Sequence, residues 1–178
     1  MKFKLDLFGT KCNEYPRLTV LHNQQIIYSG LIVESVVLDF DIDLQENTTL
    51  TLQGIDKKQE KNGKWDTQID NAGLIIADKS LCINNIWFND IPMGQEWIRS
   101  LVLINGKDNE KFSAAGWWKN GSISFSIELP LLDWIINEKF IKVEQNIVAS
   151  HDARSGEQKF DYQYIQKKIK IIRKIIND

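Results

Sequence analysis

From Lys2 to about residue 130, apolar and polar residues alternate with a period of two. Such alternation belongs to strands that bury one face, because successive side chains on a strand point to opposite sides. Lys2, Phe3, Lys4, Leu5, Asp6 and Leu7 predict a strand over 2–8. Leu18–His22 and Gln25–Ser29 flank Asn23-Gln24, which predicts a two-residue hairpin. Val36, Leu38, Phe40, Ile42 and Leu44 share one face, opposite Asp39, Asp41 and Asp43. Thr48–Gln53 alternates again, Gly73–Ala77 and Ser80–Phe88 are short apolar runs, and Ser100–Ile104 is another, ended by Asn105-Gly106. The sharpest turn signal is Asn120-Gly121, since both residues tolerate positive φ. It predicts a hairpin of Phe112–Lys119 with Ser122–Leu129, in which Ile123, Phe125, Ile127 and Leu129 oppose Ser122, Ser124, Ser126 and Glu128. Many short strands without a βαβ rhythm or an internal repeat define an all-β chain. The expected fold is an antiparallel, jelly-roll-like β-sandwich.

The period changes after Pro130. Proline suits a first helical turn, so Leu131–Lys139 is expected to form a short helix burying Leu131, Leu132, Trp134, Ile135 and Ile136. Residues 150–158 are polar and read as a loop. Phe160–Ile176 reads as an amphipathic helix in which Ile165, Ile169, Ile172 and Ile176 recur at spacings of 4, 3 and 4. Ile171 and Ile175 widen the seam, and Lys167, Lys168, Lys170, Arg173 and Lys174 cover the rest. Residues 1–149 are therefore expected to form the sandwich, and 150–178 a loop and C-terminal helix. The isoleucine seam serves either self-assembly or a protein partner, or it docks on its own sandwich. At about two heptads it is too short to hold a coiled coil alone. A membrane-surface role fits less well, because isoleucine rather than Trp and Leu dominates the apolar face.

Composition excludes some classes. The net charge of −2 supplies no field to attract nucleic acid. No run of about 18 apolar residues is present, so no membrane span is expected. Lys2, Lys4 and Asp6 interrupt the start, so no signal peptide is expected and the chain reads as made in a cytoplasm. Cys12 and Cys82 are too few for a disulfide framework; Cys82, in Leu81-Cys82-Ile83, reads as a small buried hydrophobe. G-x-S-x-G, H-E-x-x-H and C-x-x-C do not occur, and Gly63-Lys64 and Gly106-Lys107 do not complete a phosphate-binding loop. His22 and His151 have no nucleophile nearby in sequence. No catalytic residue is assigned and a non-enzyme is expected, although paired carboxylates would leave no linear motif.

Six tryptophans and several acidic segments remain as binding candidates. In the Asn120-Gly121 hairpin, Trp118 would oppose Ile123 and Trp117 would oppose Ser124, and opposed residues share a face. That puts Trp118 in the core and Trp117 on the serine face. Exposed there, its indole is a platform for a sugar ring; covered, it is packing. Trp65, in the polar stretch Lys61–Asp70, is a second platform candidate, whereas Trp87, Trp97 and Trp134 read as core. Asp39, Asp41 and Asp43 lie roughly 6.5–7 Å apart on a strand, too far to share one Ca²⁺ at ligand distances of about 2.3–2.6 Å. They read as a solvated face. Asp66 and Asp70, in Asp66-Thr67-Gln68-Ile69-Asp70-Asn71, are better placed to fold around a calcium ion, without EF-hand spacing.

The stretches HNQQIIYSG (22–30), VVLDFDIDLQENTTLTLQGIDK (36–57), WDTQIDNAGLIIADKSLCINNIWFNDI (65–91) and GWWKNGSISFSIELPLLDWIINEKF (116–140) resemble small β-sandwich virion proteins of tailed bacteriophages. These are loosely similar to jelly-roll carbohydrate-binding modules. The resemblance covers about two thirds of the chain. It implies a virion structural or accessory protein of the capsid or tail, packed on other virion proteins. It also implies, as the alternative, a module that binds a host or surface glycan through exposed tryptophan. Calcium stabilises some such modules; of their loop acids only Asp66 and Asp70 have counterparts here. The C-terminal helix has none in those modules, which points to incorporation into a larger assembly.

Overall fold

A computed structural model describes residues 1–58, 66–105, 108–111, 117 and 119–138, with 105 and 108–111 described by backbone alone. In chain order the strands are β1 (Lys2–Thr10), β2 (Arg17–His22), β3 (Gln25–Leu31), β4 (Glu34–Asp41), β5 (Thr48–Ile55), β6 (Thr67–Ile69), β7 (Ile75–Asp78), β8 (Ser80–Phe88) and β9 (Ile91–Pro92). Helix α1 (Gln95–Ser100) follows, then β10 (Val102–Asn105), β11 (Asp108–Lys111), β12 (Gly121–Ile127) and helix α2 (Leu131–Ile136). One sheet has the order β4-β1-β8-β9 and the other β11-β10-β12-β5-β2-β3, while β6 and β7 form a separate hairpin. All pairings are antiparallel. The chain is thus the antiparallel β-sandwich that the alternation predicts.

Phe3, Leu5 and Leu7 of β1 and Ile86 and Phe88 of β8 face Leu18, Val20, Leu50, Leu52 and Ile123 of the other sheet, all fully buried. Phe88 centres the core, with ring centroids 5.1 Å from Trp134 and 5.4 Å from Phe3. The His22–Gln25 turn forms as expected: Asn23 and Gln24 take φ of 46° and 70°, the sign a type I′ hairpin turn demands. Val36, Leu38 and Phe40 pack on the core while Asp39 and Asp41 stay exposed, as the strand pattern implies.

Three expectations change. First, Asn120-Gly121 does not join the predicted hairpin: β12 pairs with β5 and β10, and Ser124 lies opposite Thr51. Trp117 instead exchanges both backbone hydrogen bonds with Leu81 of β8, at 2.7 and 2.8 Å. Phe112–Gly116 and Trp118 lie outside the described residues. A local turn signal lost here to long-range pairing.

Second, residues 95–100 form α1, for which the sequence shows no helical signal, and the neighbouring strand starts at Val102 rather than Ser100. Six residues are too few to display a helical period, yet Trp97 and Ile98 plug the end of the core. Third, β8 carries an extra residue, Asn84, where its register on β1 shifts between Asp6 and Leu7. This bulge lets Ile83 and Ile86 both point inward. It also turns Trp87 to the outer face, where it is half-buried rather than core.

Helix α2 follows Pro130 and buries Trp134, Ile135 and Ile136. Leu129, expected among the buried residues, is 50% exposed, because β12 ends at Ile127. No helix among the described residues is long and apolar enough to cross a membrane. The predicted 150–178 segment, with Ile165, Ile169, Ile172 and Ile176, lies outside the described residues, as does His151.

Candidate functional site

The outer face of the six-stranded sheet is polar because β2, β5 and β12 alternate. Their inward leucines, valine, isoleucines and phenylalanine leave Thr19, Gln53, Ser122, Thr51 and Ser124 outside. In register, Thr19 faces Gln53, Gln53 faces Ser122, and Ser122 faces Ile104. Thr51 and Ser124 share a hydrogen bond of 2.9 Å, and Thr19 and Ser29 one of 3.1 Å.

At one end of this face lies an open groove of about 450 Å³. Arg17, Thr19, Gln53, Asp56, Asn120, Ser122 and Ile104 line it, together with Gly54 and Gly121. The two glycines are paired across β5 and β12. Gly121 leaves no room for a side chain, since a Cβ there would sit 2.8 Å from the Ile104 carbonyl oxygen; at Gly54 a Cβ would be tight, 3.2 Å from the Arg17 carbonyl oxygen and 3.5 Å from the Trp117 ring.

The wall of the groove is fixed by side chain to backbone bonds. Asn120 accepts the Lys57 N–H at 2.5 Å and donates to the Lys57 carbonyl at 2.7 Å. Asp56 stands at φ 56° and its carbonyl accepts from the Lys79 ammonium at 3.2 Å. By contrast, the side chains of Arg17, Gln53, Asp56 and Ser122 form no hydrogen bond or ion pair within the protein, among the described residues. A cation, a carboxylate, an amide and a hydroxyl thus remain uncommitted around one groove.

The residues singled out from sequence fall elsewhere. Trp117 is 1% exposed, so of its two possibilities the covered one holds: its indole packs under Gly54 rather than offering a platform. Trp65 lies outside the described residues. Asp66 and Asp70 do not converge on an ion. Asp66 is buried against Lys79 at 2.8 Å and accepts the Lys58 N–H at 3.2 Å. Asp70 folds back on its own turn, accepting the N–H groups of Ala72 and Leu74 at 2.9 and 2.8 Å. Among the described residues no group of three or more His, Cys, Asp and Glu side chains is placed to hold a metal ion. Among the described residues, then, Asp66 and Asp70 are each engaged within the protein and share no third acidic ligand that would complete a calcium site.

Burial by itself would raise the Asp66 carboxyl, but hydrogen bonds from Lys79 and the Lys58 N–H, with the charge of Lys79, outweigh it and hold the group below the ordinary 3.8. Cys12 is buried and free; burial first, then the charges of Asp66 and Asp78, push its thiol up. Cys82, also outside any disulfide, is half-buried rather than buried, and burial raises its thiol too. The His22 imidazole has its Nε2 buried without a hydrogen-bond partner among the described residues.

Arg17, Gln53 and Asp56 were not singled out in the sequence, because no motif links residues that only strand pairing assembles. Trp87 also emerges. It lies opposite Lys4 on the outer face of the four-stranded sheet, and the Lys4 ammonium reaches Asp90 at 3.5 Å and Asp39 at 3.9 Å.

No protein-family model and no curated protein matches the chain. Two solved structures do. One is described as vCBM60 in complex with galactobiose: 11% identical, covering 70% of this chain and 97% of that one, with a TM-score of 0.38. The other, a selenomethionine form of vCBM60, is described with two families of calcium-dependent carbohydrate binding modules linked by circular permutation: 12% identical, 70% and 88% covered, TM-score 0.41. At such identities no residue of either structure is carried over to this chain. Neither description mentions a virion protein, so the expected capsid or tail role has no support here.

Proposed function

We propose that this protein is a non-catalytic glycan-binding β-sandwich whose ligand lies in the groove over β2, β5 and β12. The observation that carries this reading is the set of uncommitted groups around the groove: Arg17, Gln53, Asp56 and Ser122. A sugar presents hydroxyls that both donate and accept. It is matched by a wall offering donors (Arg17), acceptors (Asp56) and groups of both kinds (Gln53, Ser122). Ile104, 44% exposed at the rim, supplies apolar contact for ring C–H groups. The net charge of −2 and the single arginine in the groove favour a neutral ligand over a polyanion.

A glycan array followed by calorimetry on the best hit tests this. Arg17→Ala and Gln53→Ala, both at exposed positions, should each weaken binding by about tenfold, or 1.4 kcal/mol, without loss of fold. A protein that binds no glycan, or one whose binding ignores both substitutions, overturns the reading.

A second reading, association with a protein partner or a second copy, is favoured by the β6–β7 hairpin. There Leu74, Ile75 and Ile76 are 65–66% exposed and Ile69 45% exposed, a cluster of the kind that marks contact surfaces. The seam of Ile165, Ile169, Ile172 and Ile176 is the other proposed contact. Light scattering with and without residues 158–178 tests it: a full-length oligomer that becomes monomeric on truncation supports the seam, and an unchanged mass removes it.

A further inference from the structure

We infer that the Lys79 ammonium is the resident cation of this fold, holding the Asp56–Lys58 wall of the groove in place where calcium would otherwise be expected to act. The inference rests on the groove reading only for what the wall serves; the cation's place and effect stand on their own. Lys79 is 1% exposed. Its Nζ lies 2.8 Å from an Asp66 carboxylate oxygen, 3.2 Å from the Asp56 carbonyl and 3.8 Å from Glu14. Those oxygens come from three separate segments: the one after β1, the end of β5, and the residue before β6. A buried ammonium is tolerated only when its charge is met, and here Asp66 and the Asp56 carbonyl take hydrogen bonds from it while Glu14 adds a second carboxylate at ion-pair distance, which joins these segments.

Three consecutive residues of the wall are tied by this device and by Asn120. The Asp56 carbonyl is held by Lys79. The Lys57 N–H and carbonyl are held by Asn120. The Lys58 N–H is held by Asp66, which Lys79 itself orients. Lys57 adds its own buried ammonium, 2.5 Å from Asp78, and Asp78 accepts from the Thr67 hydroxyl at 2.5 Å. Glycan-facing Asp56 and Asn120 are thereby set before ligand arrives, which lowers the ordering cost of binding. Calcium needs six to eight oxygens at about 2.3–2.6 Å. At Asp66 it would have to displace a tethered ammonium. Lys79 is therefore a positioning residue of the groove, and the wall is ordered without a metal.

Amide hydrogen exchange and thermal unfolding of the full chain, in EDTA and in millimolar calcium chloride, test this. For the wild type, the expected result is the same melting temperature, and the same protection at the Lys57 and Lys58 amides, in both solutions. Calcium that raises either quantity overturns the inference. In Lys79→Met the two amides should lose about tenfold or more in protection, while amides at the centre of β1 keep theirs. Unchanged protection at Lys57 and Lys58 overturns it as well. Should Lys79→Met not fold, Lys79→Met with Asp66→Leu removes both charges together, which apolar packing tolerates; the Lys57 amide, whose acceptor Asn120 is untouched, should still lose protection, and unchanged protection there overturns the inference. None of these readings uses a glycan, so their failure is distinct from failure of the groove to bind one.

Discussion

Between the two sheets, Phe88 meets Phe3, Trp97, Phe125 and Trp134 with ring centroids 5.1–6.2 Å apart. At the end of β5, Lys79 meets Asp66, Glu14 and the Asp56 carbonyl. Both sites are buried, and they differ in how they fail. The aromatic cluster is non-directional: many contacts of small individual worth add up, and a lost ring leaves a cavity. The ion cluster is directional. Each partner is unique, and losing one strands another without compensation. The first fixes the sandwich, while the second fixes the wall of one groove on it. A fold can thus keep its core intact while the site is lost, which makes the two separable by mutation.

The largest effect should come from Phe88→Ala, which ought to cost about 3–5 kcal/mol in urea unfolding, the range for emptying a buried aromatic site. A loss near that for an exposed residue would break the comparison. Lys79→Met should cost about 3 kcal/mol by leaving Asp66 unpaired, and adding Asp66→Leu should recover most of it. Equal losses in the single and double variants would show that lost packing, not unpaired charge, governs the cluster.

Acid sharpens the same contrast. The Asp66 carboxyl lies below its ordinary 3.8 in the folded protein. Its contribution is therefore complete above that pH and disappears as pH falls through the folded value. In Lys79→Met burial is no longer offset by the ammonium and raises the Asp66 carboxyl above its ordinary 3.8, so the stability gap between wild type and variant should widen as pH rises through that raised value and should be smallest below pH 3.8, read by denaturant titration at each pH. A gap that ignores pH would remove Asp66 from the account.

Asn120→Ala should cost about 1–2 kcal/mol through the two Lys57 backbone groups it leaves unmet, and should weaken glycan binding as well. Smallest of all, Ser124→Ala on the exposed face should stay within about 0.5 kcal/mol, checked by thermal melts. A larger loss would mean that the Thr51–Ser124 hydrogen bond matters to the sheet.

Alternation by itself determined the sandwich. Phe3, Leu5 and Leu7, then Leu50 and Leu52, then Ile123, Phe125 and Ile127 each declare a buried face, because a strand has only two sides and one of them must leave water. The Asn23-Gln24 turn was equally legible, being settled by two residues and their tolerance of positive φ. What the tertiary structure alone decided is everything that joins distant segments. Asn120-Gly121 carried the same kind of turn signal, yet Trp117 pairs with Leu81 and β12 with β5. The bulge at Asn84 sent Trp87 outward, and Asp66, read as a calcium ligand, received an ammonium from Lys79. Local periodicity reports which face of a segment leaves water. It carries no information about which segment arrives opposite, and the groove and its buried cation are made entirely of such arrivals.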